Sequence, residues 1–338
     1  MNTKGLFSPR ATLSLALIWT AFAALAQAPG KYDGNYWAFL DTKDILQAGE
    51  SITLAKYPDS DDATVEKKML RVYRADGTAE SQDETVTKVL TEKGKRNNRT
   101  LSLSFMLPYF TVEVVKLEVI RPGGEVIPVD VAGNSKETID DSQMAMNIYD
   151  PNNKILRVNI PKLEIGDMVH SVTRLTVQRA IMAGEYAEVN VFEAPGYIRH
   201  MSYDVRAPAD KPLQRIVLRD ELKGTVKYTS EKLDPNITVH HWEVNDVPRM
   251  FDEPAMPPYE NVLQRLLVST TPDWQFVSKW YWNLSKAHLD ATTPEMKQTV
   301  DQLIAAAKTD RAKIEAIFNH VAKKVRYMGL TPEKDRPG

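Results

Sequence analysis

The chain of 338 residues contains no cysteine. That excludes disulfides, thiolate metal ligands and a thiol nucleophile supplied by this polypeptide. Past residue 26 it has no apolar run approaching the roughly twenty residues that a membrane-spanning helix needs. It also lacks an excess of either charge, with 43 Lys and Arg against 45 Asp and Glu and a formal net charge of −2. A nucleic-acid partner leaves a basic face or stripe. Only Lys93-Gly94-Lys95-Arg96 is a basic cluster, and beside Asn97 and Asn98 it is expected to form a solvated hairpin tip. No nucleic-acid partner is expected. Low-complexity tracts, repeats of fixed period and a Gly-x-Ser-x-Gly elbow are all missing from the sequence.

The first residues have the pattern of a signal peptide. Lys4 and Arg10 give a positive start, Ala11 to Leu25 is apolar or small almost throughout, and Ala24-Leu25-Ala26 is a small-residue cleavage site. The apolar run of about fifteen residues is short for a span, so cleavage after Ala26 and export (periplasmic, cell-surface or secreted) are expected. Lys4 and Arg10 are the charged residues of this segment, so their loss takes the formal charge from −2 to −4. An exported chain of this length can bury adequate cores without disulfides.

From about residue 50 to 245 the pattern has period two. Met69, Arg71 and Tyr73 alternate with Leu70, Val72 and Arg74 up to the turn Ala75-Asp76-Gly77, and Glu84 to Leu90 follows, predicting a hairpin over 65–91. Leu101 to Phe105 and Val112 to Ile120 are further runs, the second closed by Arg121-Pro122-Gly123-Gly124, where Pro presets φ and Gly takes positive φ. Lys154 to Ile160, Met168 to Gln178, Ala187 to Phe192, Ile198 to Arg206, Leu213 to Leu218, Thr225 to Thr229 and Thr238 to Val244 continue the series. Roughly a dozen short strands at this spacing predict an antiparallel β-sandwich type of architecture.

After residue 250 the period changes. Met250 to Pro258 holds three prolines and is expected to be an extended linker. Beyond it, Val277, Trp280, Tyr281, Leu284 and His288 make a helical stripe behind Thr271-Pro272-Asp273. Thr293 and Pro294 suit the N-cap and first position of a second helix. Ile314, Ile317, Phe318, Val321 and Val325 give a third its apolar face. The fold class is therefore mainly β with a C-terminal α region. The expected segments are a signal peptide at 1–26, a β-sandwich-rich domain at 27–248, a linker at 249–258 and helices at 259–338.

No residue stands out as catalytic, cofactor-binding or metal-ligating. Asp59, Asp61 and Asp62 are a cluster that lacks the Gly and spaced Glu of a Ca²⁺ loop. Asp140-Asp141 is similar, and Asp252-Glu253 is expected to anchor the linker. His240 and His241 neighbour each other on a strand and so point to opposite faces. His288 and His320 fall on different helices and are expected to pack. Trp280 and Trp282 cannot share one face of a helix, so one is expected in a core and another at a domain interface, Trp274 and Tyr281 being their aromatic neighbours. Asn98-Arg99-Thr100, Asn236-Ile237-Thr238 and Asn283-Leu284-Ser285 are sequons that matter only in a eukaryotic secretory pathway.

Two segments carry a resemblance. His241-Trp242-Glu243-Val244-Asn245-Asp246-Val247-Pro248 leads to Asp252-Glu253-Pro254-Ala255-Met256-Pro257-Pro258-Tyr259-Glu260, and Ile317-Phe318-Asn319-His320-Val321 leads to Val325-Arg326-Tyr327-Met328-Gly329-Leu330. Together with Lys88-Val89-Leu90 and the Leu163-Glu164-Ile165-Gly166-Asp167 turn, they resemble bacterial exported proteins that join a domain of unknown function 3857 to a transglutaminase-like core. The resemblance implies a Cys-His-Asp triad acting on carboxamide or peptide carbonyls, with the cysteine shortly after the Arg-Tyr-x-Gly segment. No position here matches any of the three. The expectation is a non-catalytic, exported recognition or scaffolding module, a fragment or relic of such a protein, with a protein or cell-wall peptide as partner and no cofactor. The alternatives are the leading portion of an active cysteine peptidase or amide transferase, and a stand-alone surface or periplasmic ligand-binding protein.

Overall fold

A computed structural model describes residues 37–219, 224–251 and 253–330. The segment 1–26 expected to be a signal peptide, Asp252 and residues 331–338 lie outside the described residues. Asp41 caps helix α1 (Thr42–Glu50) by accepting from the Lys43 N–H. The hairpin of β1 (Asp62–Tyr73) and β2 (Ala79–Val89) follows, turning on Gly77 at φ +84°, where a Cβ would stand 2.6 Å from the Glu185 carbonyl oxygen. Next comes α2 (Glu92–Asn97), and the basic cluster is therefore a short helix rather than a hairpin tip. Thr91 caps it through the Gly94 N–H, Lys93 pairs with Asp61 at 2.7 Å and Lys95 with Glu164 at 2.6 Å. Its approach is so close that a Cβ at Gly94 would meet the Asp61 carbonyl oxygen at 1.9 Å.

The chain continues through β3 (Thr100–Met106), β4 (Phe110–Ile120), β5 (Val126–Pro128), the single turn α3 (Val131–Asn134), β6 (Ser135–Ile139), β7 (Ile148–Tyr149) and β8 (Asn153–Asn159). Then come β9 (Met168–Val177), β10 (Ala187–Val191), β11 (Tyr197–Pro208), β12 (Arg215–Arg219), β13 (Lys227–Asp234) and β14 (Ile237–Val247). The last part holds α4 (Tyr259–Val262), β15 (Arg265–Ser269), α5 (Trp274–Asp290), α6 (Pro294–Ile304), α7 (Asp310–Lys324) and β16 (Gly329–Leu330). Asp273, Thr293 and Thr309 cap the three long helices as their sequences suggest. The segment expected to be purely helical nevertheless contains β15, a strand that the prolines before it concealed.

The architecture is mainly β. An eight-stranded sheet runs β13-β14-β11-β1-β2-β9-β4-β5, beside three-stranded sheets β10-β15-β12 and β3-β8-β6. The large sheet is antiparallel except at its centre, where β1 and β11 run parallel with Met69 opposite Tyr203. One face packs against β10-β15-β12 through Phe192, Leu266 and Val268 on Tyr203, Trp242 and Val244. On the second core, α1 contributes Ile45 against Val86, Ile120 and Met168. In a third, Val158 of β8 and Ile160 meet Leu117, Val119 and Val169. Residues from Phe39 onward form one compact unit.

Trp242 is 2% exposed, with its ring 5.7 Å from that of Tyr203 and 4.9 Å from that of Tyr228. Trp242→Ala leaves a large cavity where three strands meet and should destabilise the fold by about 3–5 kcal/mol. Urea unfolding with tryptophan-independent detection checks this, and a loss under about 1 kcal/mol would contradict the packing.

Candidate functional site

Register places the site before any side chain is considered. Arg71 of β1 lies opposite Ser81 of β2, which lies opposite Leu175 of β9, which lies opposite Val112 of β4. Directly opposed residues share a sheet face, so these four form a row. A parallel row holds Met69, Asp83, Thr173 and Val114. Over this part of the sheet opens a mostly apolar cleft of about 660 Å³. Phe110, Val112, Leu175 and Val177 line its floor, while Ser102 to Ser104 of β3, Ala180 to Met182, Tyr186 and Trp280 form its walls.

At one end sits a buried charge network. Arg71 is 7% exposed and donates from Nη1 to Asp83 at 2.5 Å, from Nε to Glu188 at 2.7 Å and from Nη1 to the Leu70 carbonyl at 3.0 Å. Tyr186 donates to the other oxygen of Glu188 at 2.7 Å and stacks on Tyr73 at 4.3 Å. The guanidinium also lies 5.4 Å from the centre of the Tyr203 ring. Burial opposes the charge on Arg71, but Asp83 and Glu188 hold it fully protonated; burial also pushes the Tyr186 hydroxyl well above its ordinary range. Burial draws the nearby Lys67 ammonium below its usual value, with Asp83 opposing the shift. Small hydroxyls line the cleft at Ser81, Ser102, Ser104 and Thr173, but no histidine lines it, so no Ser–His pair is assembled there.

The opposite face of the sheet carries a second buried cluster. His170 is fully buried, its Nδ1 2.8 Å from Glu118 and its Nε2 2.7 Å from Glu84. Lys116 lies 2.8 Å from the same Glu118 oxygen, and Leu40 N–H donates to Glu84 at 2.8 Å. Both ring nitrogens of His170 thus face carboxylate oxygens.

The residues singled out from sequence are scattered. Asp61 is taken by Thr91 and Lys93, and Asp62 by Asn98. Asp59 gives its carbonyl to Arg249, and Asp140 accepts from Ser104 at 3.0 Å. Glu253 and Asp141 are exposed. His240 bonds Tyr228 at 2.8 Å, His241 pairs with Asp204 at 2.5 Å, His288 is exposed and His320 half-buried. No tryptophan of α5 enters a core: Trp274 is 85% exposed, Trp282 is exposed, and Trp280 is half-buried at the cleft. Among the described residues no group of three or more His, Cys, Asp or Glu is placed to hold a metal ion, and no helix is long and apolar enough to cross a membrane. Sequence reasoning missed Arg71, His170, Glu84 and Glu118. For the last three the signal was an ionisable residue on the same alternation as Val86, Ile120 and Val172, in strands whose partners the sequence does not disclose, while Arg71 lies on the other face.

A family model for a domain of unknown function with solved structures, DUF3857, matches residues 75–251. This chain belongs to that family. The matched DUF3857 range holds most of the cleft's floor and walls, leaving out Arg71, Thr271 and Trp280. The fold is similar to that of a candidate protease from Parabacteroides distasonis, with a TM-score of 0.64 and 15% identity over 78% of this chain and 50% of that one. The DUF3857 chain thus spans about half the length of that protein. Legionella pneumophila aminopeptidase A in complex with aspartic acid (TM-score 0.31, 10% identity, 64% of this chain and 22% of that one) and the CBM3a-L domain of a Clostridium thermocellum scaffoldin (0.22, 12%, 36% and 69%) are too distant to bear on it. No curated protein matches the sequence.

Two measurements test these networks. Arg71→Met leaves Asp83 and Glu188 without their cation and should cost about 3–5 kcal/mol, read by urea unfolding at neutral pH; an unchanged midpoint would show that the pairs do not form. On the strand surface, Glu66 and Asp204 raise the pKa of His200 and His241 respectively. Groups with a raised folded pKa stabilise fully below their unfolded value, about 6.5 for His, and lose that contribution as pH rises through the folded value. The melting temperature should therefore fall between pH 6 and 8.5, and the fall should shrink in His200→Gln/His241→Gln.

Proposed function

We propose that this DUF3857 chain is a non-catalytic, exported recognition or scaffolding module that works with a transglutaminase-like core. Its partner would be a protein or cell-wall peptide. The observation that carries this reading is a ready-made apolar cleft on a β scaffold that has neither a thiol anywhere in its sequence nor a histidine among the cleft residues. Clefts of this size with a few convergent polar groups are the usual form of a binding site. The fold likeness to half of a candidate protease supports placing the module beside a hydrolytic or acyl-transfer domain.

The helices support the same reading. Along α7, Ile314 and Phe318 are each 68% exposed, and Val321 and Val325 complete one uncovered stripe. Contiguous exposed apolar surface marks an interaction site, and a transglutaminase-like core is the covering element that the Arg326-Tyr327-Met328-Gly329 segment suggests. The same stripe also suits the second reading, in which these helices open an active cysteine enzyme.

The purified chain should release no ammonia from a glutamine-containing peptide, transfer no primary amine to it and cleave no peptide bond above the buffer blank. Sustained turnover that purifies with the chain would overturn the non-catalytic reading.

A further inference from the structure

The cleft has a wall of unusual kind, the open edge of a strand. Among the described residues β3 ends the order β3-β8-β6, pairing with β8 alone. In an antiparallel pair, alternate residues direct both backbone groups toward the partner and the others direct theirs away. The bonded set is fixed at both ends of this ladder. Leu107 N–H donates to the Asn152 carbonyl at 3.0 Å and Ile160 N–H to the Arg99 carbonyl at 2.8 Å. The same register pairs Leu101 with Val158, Leu103 with Leu156 and Phe105 with Lys154. Odd-numbered residues therefore face β8, and Ser102 and Ser104 turn their N–H and C=O outward. Both serines are exposed, and both line the cleft.

Two further features fix the chemistry of an occupant. The carboxylates beside the cleft each have a cationic partner, Asp83 and Glu188 in Arg71 and Glu185 in Lys211 at 2.7 Å, and Arg174 lines the cleft as well. The remaining lining is largely apolar, with Phe110, Val112, Leu175, Val177 and Ile181, so the space suits an uncharged, apolar side chain. Arg71 lines the cleft and its Nη2 makes no hydrogen bond among the described residues, leaving a donor there for a carbonyl oxygen.

We propose that an extended, uncharged peptide segment adds to the free edge of β3 at Ser102 and Ser104 and seats an apolar side chain in the cleft over Leu175. Main-chain pairing supplies affinity and the pocket supplies side-chain choice, the division found wherever a strand is added to a sheet edge. Ser102 and Ser104 each exchange an N–H···O and a C=O···H–N bond with the peptide. Arg71 Nη2 takes one peptide carbonyl. This deepens the recognition reading above and rests on it.

The test uses the full chain and fluorescein-labelled acetyl-Thr-Leu-Thr-Leu-Thr-amide, followed by polarisation and by amide chemical shifts. Saturable binding with shifts at Ser102 and Ser104 is expected. Ser102→Pro deletes one outward N–H without touching a β8 bond and should weaken binding by about tenfold, or about 1.4 kcal/mol, whereas Ser102→Ala should bind as the parent does. Leu175→Trp fills the cleft and should weaken binding by a similar factor. If Ser102→Pro misfolds, the same peptide N-methylated at alternate bonds supplies the arm: it should fail to bind. No binding of the unmodified peptide, binding indifferent to N-methylation, or loss in Ser102→Ala would each overturn the site. A chain that binds no peptide and also turns over none removes this site and leaves the non-catalytic module standing; turnover removes the module reading whatever happens at Ser102.

Discussion

The parallel pairing of β1 with β11 is the constraint on which the rest depends. Every other pairing within the large sheet is antiparallel. This one joins Met69 to Tyr203 across more than a hundred residues of intervening chain. It welds the β2-β9-β4-β5 half to the β14-β13 half, and it puts Arg71 on the same face as Tyr203. Ordering so long a segment costs entropy before it gains contacts, so the chain depends on the large side chains buried at the seam. Trp242, Tyr203 and Phe192 are the largest fully buried groups, and all belong to the core on that face.

That same width explains the cleft. A sheet of eight strands is broader than the three-stranded sheet covering its first face. β10-β15-β12 shields Tyr203 and Trp242, and the floor formed by Val112, Leu175 and Val177 is left to loops and to the edge of β3. An apolar floor with a partial roof leaves apolar surface open to an occupant. The network of Arg71, Asp83 and Glu188 marks the boundary between the sealed part and the open part. On the reverse face the chain follows a different policy, burying Glu84, Glu118 and His170 as one hydrogen-bonded set, with the half-buried Lys116 paired to Glu118.

Much of the fold was legible because its signals are local. Alternation located most strands from β1 to β14, though not β6 or β7, and Gly77 and Gly124, both at positive φ, end hairpins where the turn chemistry says they should. Thr293 with Pro294, and Asp273, announce their helices by side chains that satisfy open N–H groups. The misreading of Lys93 to Arg96 has a local cause too, since Gly94, Asn97 and Asn98 have turn composition while the Thr91 cap makes the helix. β15 was hidden because five residues between a proline-rich stretch and a long helix offer little periodicity. The parallel pair, the cleft and the His170 cluster could not be read at all. Each depends on register between strands distant in sequence, and no residue type encodes that.

An open strand edge is also a hazard. Unpaired N–H and C=O groups recognise any extended backbone, including that of another molecule of the same protein. β3 limits the danger by being seven residues long and by exposing serines at 102 and 104. The cleft beside it, with its paired carboxylates and largely apolar lining, restricts lasting pairing to segments that bring a suitable side chain. The polarity of two small residues thus separates a peptide-reading edge from a nucleus for fibrils.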